Sequence, residues 1–350
     1  MYKVCIISCG MIANSAHIPA YKMFDEFQIT GVFDISEKAA RETAEKHNIP
    51  NWYTSCEEML EKEKPDLVSV CVPNCFHKEY TILALNAGAN VLCEKPLAVT
   101  EKDAIEMFDT AKKNGKTLMA CQSMRFTPDR LAAKKAIDEG KLGDVYYGEL
   151  SRTRRRGIPT WGTFHMNKIS CGGALIDIGV HMIDAAVWLM GNPKIKSVYG
   201  TTMQNHKYEL GSLKGSGAFT GEVSNARLFD PEEMDVEDFA CGILDFENGS
   251  KLSFKVAWAA NMEDTSDIRL IGKNAGVKLP SCEVYFGEDG NDKLEPIPLK
   301  YDSAFPGHIY IIENFLHVLK GEAKPFVKPE ESINVSKILE LFYKSAKGES

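Results

Sequence analysis

Val4-Cys5-Ile6-Ile7-Ser8-Cys9-Gly10-Met11-Ile12-Ala13 is a short apolar run that breaks into a turn and then continues as a helix-forming stretch. A strand, a tight turn and a helix in this order hold a dinucleotide pyrophosphate against the helix N-terminus. Ser8, Gly10, Met11 and Ile12 form the candidate phosphate turn, a degenerate G-x-G-x-x-G with serine in its first position and Ala13 in its third. Asp34 closes the next strand-like run, Ile29–Phe33. A carboxylate there accepts hydrogen bonds from an adenosine ribose and repels a 2′-phosphate, which favours NAD over NADP. Aspartate at a strand end also serves as a turn or helix cap.

Outward from this turn, apolar runs at Leu67–Val72, Val91–Cys93 and Thr117–Ala120 alternate with helix-like stretches near 13–25, 36–47, 55–62, 76–87 and 101–114. That alternation predicts an α/β fold, a doubly wound parallel sheet over residues 1–122 with helices on both faces. Beyond it a helix is expected over Pro128–Glu139, followed by strands at Val145–Leu150, Phe239–Phe246, Lys251–Trp258, Ser266–Ile271 and Val277–Leu279. Strands in succession predict a second α/β domain, 123–350, around a large and mainly antiparallel sheet. Residues 201–233 read as a long polar loop, and helices near 307–320 and 331–346 close the chain, with room to pack back toward the first domain.

The net charge of −8 argues against an extended nucleic-acid surface. No uninterrupted apolar run reaches the roughly 18 residues of a membrane span. The first strand starts almost at Met1, leaving no room for a leader, so a cytoplasmic protein is expected. Ten cysteines with no Cys-x-x-Cys pair read as buried thiols in a reducing compartment, with no metal implied.

Three further clusters carry chemistry. Val72-Pro73-Asn74 with His77, and Cys93-Glu94-Lys95-Pro96, both follow strand ends, where open α/β sheets bind ligands. Proline after Lys95 keeps that residue out of helical geometry, which favours a fixed projecting amine, and a cis bond between the two is a further expectation. Ser170-Cys171-Gly172-Gly173 leads into an apolar helix carrying Asp177, His181 and Asp184. Residues four apart share a helix face, so Asp177 and His181 project together, and a histidine beside a carboxylate is a tunable proton acceptor. The same three side chains offer oxygen and nitrogen donors to a divalent ion, without a further ligand cluster to complete the set. Upstream, Arg154, Arg156, Trp161 and His165 lie in a charged, glycine- and proline-containing loop suited to a carbohydrate, guanidinium to hydroxyls and indole to a ring face. Gln122 and Arg125, just past the last strand of the first domain, either reach the nicotinamide or the pocket or pack at the domain junction, and His308 is a candidate for the pocket wall.

Taken together, Glu94-Lys95-Pro96, Pro73-Asn74 with His77, Gly172-Gly173…Asp177…His181…Asp184, Val236-Glu237-Asp238 and the Tyr310…Phe315 helix resemble the glucose–fructose oxidoreductase / inositol dehydrogenase / MocA (Gfo/Idh/MocA) family over the whole chain. Ser8 and Cys171 stand where members commonly have glycine. The resemblance implies hydride transfer between NAD(H) and a secondary hydroxyl of a sugar, inositol-like polyol or glycoside. It implies that Lys95 assists the reacting hydroxyl, Asp177 positions sugar and histidine, His181 exchanges the proton, and Glu94, with Pro73, Asn74 and His77, lies at the cofactor. It also implies a homo-oligomer formed through the open sheet. Two alternatives stay open, a glycoside-cleaving enzyme that cycles a resident NAD and a non-catalytic NAD/sugar sensor.

Overall fold

The computed structural model of the chain describes residues 1–206 and 230–349. They form two compact units, one of residues 1–123 and 301–333, the other of the remaining described residues. Most of the long polar loop expected over 201–233 lies outside the described residues.

In the first unit, strands β1 (Tyr2–Ile7), β2 (Phe27–Phe33), β3 (Asn51–Tyr53), β4 (Leu67–Val70), β5 (Asn90–Cys93) and β6 (Leu118–Ala120) make an all-parallel sheet in the order 3-2-1-4-5-6. This is the dinucleotide-binding order, whose crevice opens where the strand order reverses, outside β1 and β4. Val4, Cys5, Ile6 and Ile7 are fully buried because helices cover both faces, which is why the run shows no polar alternation. Burial of each such side chain contributes about 1.5–3 kcal/mol. Ser36, Ser55 and Thr100 cap the helices that follow, each side-chain oxygen accepting a backbone N–H three residues on. The helix Pro306–Leu319, far along the chain, belongs to this unit.

In the second unit, β7 (Val145–Thr153), β8 (Ile195–Met203), β9 (Phe239–Phe246), β10 (Lys251–Ala257), β11 (Asp267–Gly272), β12 (Gly276–Leu279), β13 (Glu283–Phe286) and β14 (Gly290–Lys293) form one sheet in the order 14-13-12-11-7-10-9-8. All neighbours are antiparallel except β7 and β10, which run parallel. One face is buried: Val198, Leu244, Leu252, Leu270, Val277 and Val284 form a row across it. The helical stretch Asn167–Leu189 is long and apolar enough to cross a membrane, yet 89% of its most apolar window is buried within the protein. The part of it from Ala174 onward is the core helix of the unit.

Candidate active site

The turn after β1 is locked to the end of β2. The Cys9 N–H donates to Asp34 Oδ2 at 2.8 Å, and the Ser36 N–H donates to Oδ1 at 2.9 Å. Asp34 therefore is a turn cap, and Oδ1 still has acceptor capacity for a ribose hydroxyl. Ser8 adopts a left-handed conformation, φ 79°, which glycine takes without strain and which costs an L-residue of order 1–2 kcal/mol. Gly10 is exposed, and a Cβ built on it meets nothing nearer than Ser8 Oγ at 3.8 Å. That open space before the turn is room for a pyrophosphate. Met11 and Ile12 flank it half-buried. Ile35, beside Asp34, is 84% exposed and offers an apolar face to an adenine ring. Gln122 is buried, and its Oε1 has no hydrogen-bond donor among the described residues. A carboxamide N–H is the kind of group that satisfies such an oxygen. These features fit NAD.

The geometry predicts cofactor preference. Asp34→Asn keeps an acceptor for the turn but removes the charge that repels a 2′-phosphate. NAD is expected to bind about 10–100-fold more weakly, the worth of one charge-assisted hydrogen bond, while NADP affinity rises. An unchanged ratio of the two affinities in fluorescence titrations would show that Asp34 is only a cap.

At the ends of β4 and β5 the structure sorts the expected residues. Pro73 is exposed and Asn74 half-buried, starting a 3₁₀ turn. His77 is buried, with Nδ1 2.7 Å from the Pro96 carbonyl and Nε2 3.0 Å from that of Val72. Its ring thus clasps the two loops together, and neither nitrogen is left to present to a cofactor, which corrects the expectation from sequence. The Lys95–Pro96 peptide is cis, and Lys95 is half-exposed. Glu94 is buried, accepting from His17 Nε2 at 2.8 Å and His308 Nε2 at 3.1 Å through Oε1, and from the Lys95 N–H at 3.1 Å through Oε2. Burial opposes ionisation of Glu94, yet these histidines hold its carboxyl well below the usual range. His308 therefore belongs to Glu94, and His17, for which the sequence offered no partner, belongs there too.

In the second unit the core helix begins with a π-turn, Leu175–Gly179, as does the helix after the phosphate turn at Ala13–His17. Wide turns of this kind are frequent at functional sites. From Gly172 to Met190 every residue is buried except Asp177 and His181. The helix has one opening, and these two side chains stand in it. Trp258, fully buried, donates its indole N–H to Asp177 Oδ2 at 2.9 Å and so fixes the carboxylate. Arg152 is half-buried within electrostatic range of Asp177, Arg154 and Asp264. Trp258 is not a sequence candidate, because it sits just past the end of β10 with no local motif.

Loop 154–166 packs on the same helix through Ile158 and Phe164, in a cluster with Ile178 and Trp258. Trp161 is half-exposed and meets Phe164 edge-on at 5.9 Å. The Arg154 and Arg156 guanidinium groups are half-buried and return to loop carbonyls, of Gly157 and Arg155. His165 is buried, Nε2 lying 3.9 Å from a Glu233 oxygen, and its backbone carbonyl accepts the Asp235 N–H at 3.1 Å. Asp184 is also corrected: it holds Arg125 in a buried two-point ion pair, at 2.8 and 2.7 Å, with Arg125 stacked over Trp188. This removes Asp184 from any metal set and Arg125 from the cofactor.

The two glycines answer to the protein's own packing. A Cβ on Gly173 would fall 1.9 Å from the Glu237 carbonyl oxygen, and one on Gly172 2.2 Å from Tyr343 Oη. Glu237 in turn caps the helix, accepting N–H bonds from Gly173 and Leu175 at 3.0 and 3.1 Å and the Tyr343 hydroxyl at 2.8 Å.

Comparison with known proteins agrees with this fold. Residues 2–122 match the model of the GFO/IDH/MocA oxidoreductase family, NAD-binding Rossmann fold, and residues 131–278 match a GFO/IDH/MocA C-terminal domain. The chain is 34% identical to D-glucoside 3-dehydrogenase of Escherichia coli K12 over 98% of its own length and 95% of that protein. It is 36% identical to scyllo-inositol 2-dehydrogenase (NADP(+)) of Bacillus subtilis over 49% of its length and 53% of that protein. Levoglucosan dehydrogenase, solved with NADH and L-sorbose, shares the fold at a TM-score of 0.82, with 21% identity and coverage of 100% and 98%.

Proposed function

The chain belongs to the Gfo/Idh/MocA oxidoreductase family, and from that premise we propose that it oxidises a secondary ring hydroxyl of a D-glucoside or a related sugar or cyclic polyol. The observation that carries this reading is the Asp177–His181 pair, alone in the opening of an otherwise buried helix with its carboxylate fixed by Trp258. NAD, when bound, supplies the acceptor for the hydride leaving the substrate carbon. The chain handles the proton and the charge. His181 takes the hydroxyl proton, and the Lys95 ammonium stabilises the negative charge that develops on oxygen. Asp177 accepts a hydrogen bond from a sugar hydroxyl and orients His181. Arg154, Arg156 and Trp161 supply donors and an apolar face for the ring. The glycoside class is supported by the relative that matches along nearly its full length.

The test is NADH absorbance on purified protein with NAD, across methyl and aryl glucosides, free sugars and inositols. NADH accumulating with glucosides is the expected result. Release of the aryl group without NADH would instead establish an oxidation–elimination cycle, and NAD binding with silence across the panel would reject the dehydrogenase reading.

The outward face of the large sheet supports assembly with a second copy of the chain. Tyr199, Ile243 and Ile271 project from it, Tyr199 being 70% exposed. We expect a homo-oligomer by light scattering and its dissociation by Ile243→Lys; a wild-type monomer at micromolar concentration rejects this.

A further inference from the structure

The cluster around Glu94 has more parts than cofactor contact requires. His17 is fully buried, and its ring meets that of His308 edge-on at 5.3 Å. Its Nδ1 lies 3.1 Å from Ser69 Oγ, which lies 2.7 Å from the Tyr21 hydroxyl. With a neutral His17 ring and an ionised Glu94, one proton order follows. Both Nε2–H groups donate to an ionised Glu94, the Ser69 hydroxyl donates to His17 Nδ1, and the Tyr21 hydroxyl donates to Ser69. Burial lowers the proton affinity of the His17 ring, which keeps it a neutral donor in this order.

We propose that His17 and His308 are positioning residues for Lys95, acting through Glu94: they keep a buried carboxylate ionised and fixed directly under the Lys95 backbone. A lone buried carboxylate takes up a proton or shifts to reach water. Two imidazole donors on Oε1 prevent both, and leave Oε2 to hold the Lys95 N–H. The other titratable groups facing Glu94 are the thiols of Cys71, Cys93 and Cys121 and the ring of His77.

A metal ion is the competing occupant, since ligand atoms of His17, Glu94, Cys121 and His308 all fall within 4.8 Å of one another. Distances favour protons. Tetrahedral ligands held at about 2.0–2.1 Å from zinc stand about 3.3 Å apart, whereas Oε1 is 2.8 and 3.1 Å from the two Nε2 atoms, at hydrogen-bond separation.

The proposal rests on Lys95 serving the reaction, so its test needs a readout that does not depend on turnover. Hydrogen exchange at the Lys95 backbone amide in the intact protein, followed by mass spectrometry, supplies one, because that N–H is the group Glu94 Oε2 holds. His308→Leu is expected to speed that exchange about 10-fold and, where turnover is measurable, to lower kcat by about 10–100-fold. His308→Gln, which retains a donor, is expected to restore most of both. Ser69→Ala releases the His17 tautomer without a large cavity and speeds the exchange by a smaller step, which keeps the test open should His308→Leu fail to fold. An unchanged exchange rate in folded His308→Leu or Ser69→Ala protein overturns the proposal, and so does one equivalent of zinc in the purified protein that Cys121→Ser removes. A wild-type protein that turns over no carbohydrate would count against the dehydrogenase reading and leave the exchange result to decide this one.

Discussion

Lys95→Met is expected to lower kcat/KM for the sugar by about 10²–10³-fold, and His181→Asn by about 10²–10⁴-fold, with the double variant no worse than the more damaged single. Methionine preserves the length and apolar bulk of lysine, so the loss reports charge. Asparagine preserves hydrogen bonding at His181 but cannot take the hydroxyl proton. Residues acting on one proton fail as a unit, hence the non-additivity. The pH profile separates the roles. A histidine base must be neutral to accept, so activity rises with pH along the acid limb of kcat/KM, and that limb is expected to vanish in His181→Asn. NAD affinity is expected to stay within a few-fold of wild type in His181→Asn. Wild-type kcat/KM in either single variant would remove that residue from the mechanism.

How much of this was legible in the sequence differs between the two units. The parallel sheet was legible because each βα repeat writes its own signal, a buried apolar run and then a capped helix. Strand β3 was not, since Asn51-Trp52-Tyr53 lies at the sheet edge with two of its three residues exposed. β8, β13 and β14 escaped for the same reason, as half-exposed or edge strands with mixed composition. Asp177 and His181, the two half-buried positions between Gly172 and Met190, were reached in the sequence through their spacing of four. Glu94 illustrates the opposite case. Its partners lie 77 and 214 residues away, and no local period connects such distances. Asp184 belongs to the same sequence motif as Asp177 and His181, and only the buried Arg125 shows what it is paired with. His77 sat in the right motif, but its role depends on two backbone carbonyls that the motif does not reveal.

Gly173→Ala is expected to have the largest effect on stability, more than about 4 kcal/mol. The added methyl would fall 1.9 Å from the Glu237 carbonyl oxygen, and backbone cannot move aside as a flexible side chain can. That carbonyl also accepts the Ala174 N–H at 3.0 Å, while the Glu237 carboxylate takes the N–H groups of Gly173 and Leu175. Displacing the segment around Glu237 therefore strips three donors from the start of the core helix, each left without water to replace its partner. Tyr343→Phe provides the graded comparison. It removes one hydroxyl from Glu237 and leaves the backbone donors in place, so about 1–3 kcal/mol is expected. Denaturant unfolding measures both. The helix start lies one turn before Asp177, so any folded fraction of Gly173→Ala is expected to have lost activity as well. Wild-type stability in Gly173→Ala would mean that the glycine is kept for a ligand and not for this packing. The functional reading would then have to move the cofactor or the sugar to the glycine pair.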